Sequence, residues 1–200
     1  MIIKGGKLKF ECLTMNPNDF NEVEILENGY SHFTTTSVVL KDLIDNTSYA
    51  CATDVARPIF MGTYLDVQGD TISMVATDTH RLALKTAPLD SPIENPLQAV
   101  IPSRLLTEIS RQLPTDIPEA VEITAVRSYL AIKFGNVYIR TRLIEGEFPN
   151  YRRVIPTDFQ CSITVGRSEF TGAVERAPSS PKTPSTTSST SYSATGKFIS

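Results

Sequence analysis

A pattern of residues recurs in this chain at an offset of about 130 positions, and the recurrence narrows the possible folds more than any other property. Ile3-Lys4-Gly5-Gly6-Lys7-Leu8 is matched by Ile132-Lys133-Phe134-Gly135-Asn136-Val137-Tyr138, with a one-residue slip in the turn. Both read as strand, hairpin and strand, and Leu13 then falls opposite Leu143. Phe33-Thr34 corresponds to Ile163-Thr164, and Leu40, Leu43 and Ile44 correspond to Phe170, Ala173 and Val174. A strand, a short polar cap and an amphipathic helix therefore recur in order. The chain is expected to hold the end of one unit, a complete unit over roughly 30–155, and the start of a third.

Turn and cap residues place the elements of the complete unit. Strands are predicted over 59–67 and 71–77 around Gln68-Gly69-Asp70, over 121–126 and 129–134, and over 137–143 after Gly135-Asn136. Two helices are predicted. In 37–49, Val39, Leu40, Leu43 and Ile44 form an apolar stripe, with Thr36 or Ser37 as the cap. In 102–113, Pro102 sits near the first helical position, Leu105, Leu106, Ile109 and Leu113 make the buried face, and Pro114 stops the helix. A third helix is predicted from about 167, with Phe170, Ala173, Val174 and Ala177 on its apolar side.

Charge and cysteine usage then exclude several functions. The 200 residues carry 19 Lys and Arg against 22 Asp and Glu, a formal charge of −3. That is no polycation able to coat nucleic acid through bulk charge. Residues 1–100 hold 7 basic and 13 acidic side chains, whereas 101–177 hold 10 and 9, which leaves room for a local basic face. Cys12, Cys51 and Cys161 are odd in number and lack a C-x-x-C spacing. They fit reduced thiols of a soluble cytoplasmic protein better than a disulfide framework or a zinc site. No apolar run approaches the ~18 residues of a membrane span, and Met1-Ile2-Ile3-Lys4 is no signal peptide. Asp78-x-His80 has the form of a general base or a metal ligand, with Cys51 or Cys161 as nucleophile. With only two His in the chain, and no nucleophile elbow, P-loop or H-E-x-x-H, an enzyme is not expected. No cofactor and no metal are implied.

Three segments carry a more specific resemblance. Arg57-Pro58-Ile59-Phe60, then Val75-Ala76-Thr77-Asp78-Thr79-His80-Arg81-Leu82-Ala83, then Leu143-Ile144-Glu145-Gly146-Glu147-Phe148-Pro149-Asn150-Tyr151-Arg152-Arg153-Val154-Ile155-Pro156 stand in this order. In sequence and separation they resemble the middle domain of the bacterial DNA polymerase III β sliding clamp. The resemblance runs from about residue 1 to about 177. It implies an α+β clamp fold of repeated domains, each with two helices packed on antiparallel sheets. By resemblance, 1–30 ends a first clamp domain, 31–156 is a complete middle domain and 157–177 opens a third. The family's chains form a ring-shaped homodimer of three similar domains per chain. The implied role is that of a non-catalytic processivity subunit, which encircles duplex DNA and tethers the replicative polymerase.

The resemblance implies two surfaces. Helices line the hole of such a ring, so Lys41, Arg104 and Arg111 would face DNA, joined by Arg57 from the loop after the first helix. A sliding sleeve needs only a modest positive potential, which a net charge of −3 tolerates. The second surface is a groove for short peptides of polymerase, clamp loader and repair proteins. Phe60, Thr77, His80, Arg81, Leu82, Pro149, Tyr151, Arg153 and Val154 match it. Phe60, Leu82, Pro149 and Val154 would form an apolar socket for Leu or Phe anchors, with Arg81 and Arg153 at a polar rim. Read as residues alone, the same positions describe solvated helix faces, core strand residues and a turn histidine. A peptide-binding adaptor that cannot close a ring, or a truncated product without function, remains an alternative.

Two departures from the family stand out. Thr79 occupies a position where the family usually has Gly, so a positive φ there would strain the loop and alter the edge of the groove. Beyond Ala177, 13 of the 23 residues in 178–200 are Ser or Thr, a composition expected to be disordered. Ala177-Pro178-Ser179-Ser180-Pro181-Lys182-Thr183 is also what codons for Ala-Ser-Leu-Leu-Ala-Lys-Asp become on losing one base. The tail is therefore read as a frameshift product or a genuine disordered tail, and the chain as a fragment.

Overall fold

The computed structural model of the chain describes residues 1–19, 25–26, 29–156 and 163–176. Cys161, Ala177 and the tail at 178–200 lie outside the described residues. The chain divides into two units, Met1–Phe148 and Pro149–Ser200.

In the first unit β1 (Ile2–Gly5) and β2 (Leu8–Glu11) form an exposed antiparallel hairpin. β3 (Ser31–Thr36) leads into α1 (Ser37–Asp45), and a meander of β4 (Gly62–Gln68), β5 (Thr71–Thr77) and β6 (Leu82–Pro88) follows. β7 (Leu97–Pro102) leads into α2 (Ser103–Gln112), and a second meander of β8 (Ala120–Val126), β9 (Tyr129–Phe134) and β10 (Val137–Arg142) completes the unit. One strand–helix–three-strand pattern is thus written twice. The leading strands are exchanged between the halves. β3 pairs with β8 in a sheet ordered β10-β9-β8-β3, and β7 pairs with β4 in a sheet ordered β6-β5-β4-β7. All pairs are antiparallel.

Both sheets and both helices share one core. Leu65, Val67, Ile72, Met74 and Ile101 from one sheet and Val121, Ile123, Leu130 and Ile132 from the other are buried in the same cluster as Leu40, Leu43, Ile44, Leu106 and Ile109. Leu43 is fully buried, so truncating it to Ala would cost about 2–5 kcal/mol through lost burial and an unfilled cavity.

Local chemistry sets the boundaries. Thr36 caps α1, its hydroxyl accepting the Val39 N–H at 3.3 Å. The predicted helix to residue 49 stops at Asp45 because side chains take its last carbonyls. Asn46 Nδ2 donates to the Asp42 carbonyl at 2.8 Å and Thr47 Oγ1 to that of Leu43 at 2.7 Å. Ser48–Ala50 then forms a single 3₁₀ turn. The strand predicted from 59 begins only at Gly62, since Pro58 opens a 3₁₀ turn over Pro58–Met61. The Gly6 and Gly135 turns matched in the repeat both hold positive φ, +58° and +49°, which Gly accepts without strain. Leu105 is only partly buried at the edge of the core.

The second unit holds a Tyr151–Arg153 turn and α3 (Arg167–Arg176). α3 forms where the sequence predicts it, but Phe170, Ala173 and Val174 are exposed rather than buried. No helix among the described residues is long and apolar enough to cross a membrane.

Candidate functional site

The four cations expected to face DNA stand in different surroundings. Lys41 lies half-buried between α1 and α2. Its Nζ donates to the Ser110 carbonyl at 2.6 Å and to Ser110 Oγ at 2.9 Å, and pairs with Asp45 Oδ2 at 3.4 Å. It thereby serves the carbonyl end of α2, where a cation complements the helix dipole. Arg111 pairs with Glu108 at 2.9 Å on the exposed side of α2. Arg104 and Arg57 are exposed and have no ion pair among the described residues, so their charge is the least compensated of the four. Asp42 is matched by Lys85 of β6 at 2.8 Å.

Arg57 rides on a closed loop. Ala52 donates its N–H to the Phe60 carbonyl at 2.8 Å, and Phe60 donates its own to the Arg57 carbonyl at 3.1 Å. Asp54 Oδ1 is engaged by the Ala56 N–H at 3.0 Å, which turns part of its charge back onto the loop. The loop starts at Cys51, whose thiol is buried and lies 3.3 Å from Thr63 Oγ1. Burial pushes this thiol's pKa up, and the Thr63 and Ser103 hydroxyls do not compensate. Cys51 therefore stays a neutral thiol in a small cluster with Ala50, Ala76 and Ala83, an environment opposite to that of a nucleophile. Among the described residues no three His, Cys, Asp or Glu side chains are grouped to hold a metal.

Five of the expected groove residues gather at one end of the second sheet. Phe60 precedes β4, Thr77 closes β5, and Leu82 opens β6 directly opposite Thr77. Phe60 meets Phe148 edge-on at 6.1 Å, and Tyr64 stacks flat on that ring at 4.7 Å. Leu82 is partly buried, and Leu84 beside it is exposed.

Between Thr77 and Leu82 the turn is closed by its own polar groups. Thr77 Oγ1 donates to the Arg81 carbonyl at 2.7 Å and accepts the Thr79 N–H at 3.1 Å. Asp78 Oδ1 accepts the N–H groups of His80 and Arg81, both at 3.0 Å, while Oδ2 takes the Arg81 Nε–H at 3.0 Å. Burial works against the ionised form of Asp78, but these N–H donors and the guanidinium outweigh it and hold the carboxyl below its ordinary value. Thr79 sits at φ +79°, in the left-handed region that a β-branched residue disfavours. His80 is exposed at the tip.

The remaining expected groove residues belong to the second unit. Pro149, Arg153 and Val154 are exposed, Val154 to 67%. Tyr151 is buried, with the Arg152 guanidinium 5.4 Å from its ring centre. Tyr49, which no sequence motif marks, contacts Arg81. The Arg81 Nη2 donates to the Tyr49 carbonyl at 2.9 Å and the guanidinium lies 5.9 Å from the Tyr49 ring centre. Its sequence signal is slight, one aromatic residue just beyond a helix.

This architecture is that of sliding clamps. A solved DNA polymerase sliding clamp from Bacillus subtilis superposes with a TM-score of 0.83 at 32% identity, over 92% of this chain and 48% of that one. A sliding clamp (DNA polymerase III subunit beta) from Pseudomonas aeruginosa, solved bound to griselimycin, superposes with a TM-score of 0.72 at 32% identity, over 80% and 42%. By sequence, the Bacillus subtilis beta sliding clamp is 34% identical over 176 residues, 88% of this chain and 46% of the relative. The chain thus spans about half the length of the curated relatives it matches. The family described as "DNA polymerase III beta subunit, central domain" matches residues 34–150, and the chain belongs to it.

Proposed function

We propose that this chain acts as a DNA sliding-clamp subunit, a non-catalytic processivity factor that surrounds duplex DNA and tethers the replicative polymerase in the cytoplasm. The observation that carries the reading is the family match over 34–150, which contains α1, α2 and β4 to β10 whole and the second half of β3. In this reading 31–156 is the middle clamp domain, flanked by the end of a first domain at 1–30 and the start of a third at 157–177. Arg57 and Arg104 supply most of the potential toward DNA, with Arg111 partly offset by Glu108 and Lys41 mainly structural. Topology rather than tight phosphate contact would then retain the chain on DNA.

The partner groove is proposed at the sheet end that carries Phe60, Thr77, His80, Arg81 and Leu82; for Pro149, Tyr151, Arg153 and Val154 of the second unit a peptide-binding role is proposed from the family resemblance alone. The griselimycin complex of the Pseudomonas aeruginosa clamp supports a ligand site in this family and supplies a probe. Peptides of polymerase, clamp loader and repair proteins are the proposed natural ligands, and a homodimer the proposed assembly.

Loading onto a nicked circular plasmid, followed by gel filtration before and after linearising it, separates the readings. Retention on the circle and loss from the linear form is expected. Equal retention on both, or none on either, refutes the ring. Peptide binding without retention identifies an adaptor instead.

A further inference from the structure

Arg81 is exposed, yet its guanidinium is already engaged within the chain. Nε is held by Asp78 Oδ2 at 3.0 Å, Nη2 by the Tyr49 carbonyl at 2.9 Å, and the planar group lies 5.9 Å from the Tyr49 ring centre. These contacts join two turns 32 residues apart, Ser48–Ala50 after α1 and Asp78–Arg81 between β5 and β6. The Asp78 carboxylate that takes Nε also takes the His80 and Arg81 N–H groups, so one network fixes the backbone of the whole tip. Next to these turns in sequence, Ala50 and Cys51 are buried in one cluster with Ala76 and Ala83.

We propose that Arg81 is a positioning residue rather than a charged contact at the rim. It braces the turn that presents His80 and Leu82 against Tyr49, and Tyr49 belongs to the partner site as the other half of that brace. The proposal rests on the peptide-groove reading for its functional part. The chemistry favours arginine specifically. A planar fork reaches a carboxylate and a carbonyl at once while lying near a ring, whereas a lysine ammonium is a single point charge on a flexible stem. Thr79 adds a reason for the brace, since a residue at φ +79° keeps that conformation only where its surroundings enforce it.

The test uses the full chain, with griselimycin and a fluorescein-labelled peptide carrying adjacent Leu and Phe side chains as probes. Arg81→Lys and Arg81→Ala are expected to weaken both probes alike, by about three- to ten-fold, because the turn must then be ordered on binding. Tyr49→Ala, which keeps the carbonyl and loses the ring, should fall between these variants and wild type, and Tyr49→Phe should bind as wild type does. Hydrogen exchange of the His80 and Arg81 amides, read on the free chain, should quicken in the same order. Arg81→Lys binding within two-fold of wild type, or leaving both amides as protected as before, overturns the brace. A wild-type chain that binds neither probe overturns the groove reading and Tyr49's part in it, while the exchange data still decide whether Arg81 fixes the turn.

Discussion

Thr79→Gly should stabilise the protein, which is unusual for a glycine introduced into a β-rich domain. At φ +79° the threonine Cβ crowds the backbone, at a cost of about 1–2 kcal/mol for an L-residue in the left-handed region. Glycine removes that cost but enlarges the entropy of the unfolded chain by about 0.4–1 kcal/mol. Among the described residues the Thr79 side chain has no hydrogen bond to lose, and the bond to Thr77 Oγ1 comes from its backbone N–H. Taken at the midpoints, the net gain is about 0.8 kcal/mol, or roughly 2–3 °C in Tm for a chain of this size. Scanning calorimetry and urea melts of Thr79→Gly and Thr79→Ala form the assay. Alanine keeps the positive φ and should move the midpoint little, so the comparison isolates the backbone from the side chain. A glycine variant that melts at or below wild type, or an alanine variant that gains as much, refutes the reasoning. The relaxed turn should also change peptide affinity at the proposed groove, and unchanged binding in titration would show that the strain does not reach it.

Further outcomes follow from the same structure. Gly62→Ala should destabilise by about 1–3 kcal/mol in urea melts, since its Cβ would lie 2.6 Å from Val100 Cγ1 and 2.7 Å from the Ile101 carbonyl oxygen. Lys41→Met should cost about 1–3 kcal/mol of stability by stripping the donor from buried Ser110. Arg104→Ala should leave the melt unchanged but shorten retention on circular plasmid. Asp78 has a carboxyl held below its ordinary value when folded, so the stability it contributes is complete above about pH 4 and is lost as pH falls through the folded value. Acid melts of Asp78→Asn should accordingly lack that part of the slope. Cys51 should resist a thiol reagent such as Ellman's in the native state while exposed Cys12 reacts at once, and equal rates would contradict the protonated, buried thiol.

What the sequence made legible was mostly local. Gly135-Asn136 marks its hairpin because glycine is strain-free at the φ the turn requires, and Pro114 ends α2 because proline cannot continue it. β6 went unmarked because Leu82–Pro88 mixes small and polar residues along a sheet edge, and β7 because it runs straight into the proline that signals α2. The stripe on α3 marks a helix, but periodicity says nothing about whether a partner surface covers it. The residues proposed for the groove rest on family resemblance alone, since apolar and charged positions scattered from 60 to 154 carry no local pattern. Inward engagement of Lys41 was not legible at all, as its partner Ser110 lies 69 residues away. The Tyr49–Arg81 contact was hidden for the same reason.

The exchanged leading strands bear on how such a chain is made. Among the described strands β3 pairs only with β8, where Phe33 stands opposite Ile123, roughly 90 residues later. At synthesis rates of about 5–20 residues per second, β3 and the apolar side of α1 wait some 5–18 s before the strand that completes their sheet is even polymerised. The β4–β5–β6 meander can form meanwhile, yet it too needs β7 along its open side. Neither half can close alone, so the domain should fold late and in one cooperative step. A ribosome stalled before residue 120 would carry an unpaired edge for as long as the stall lasts.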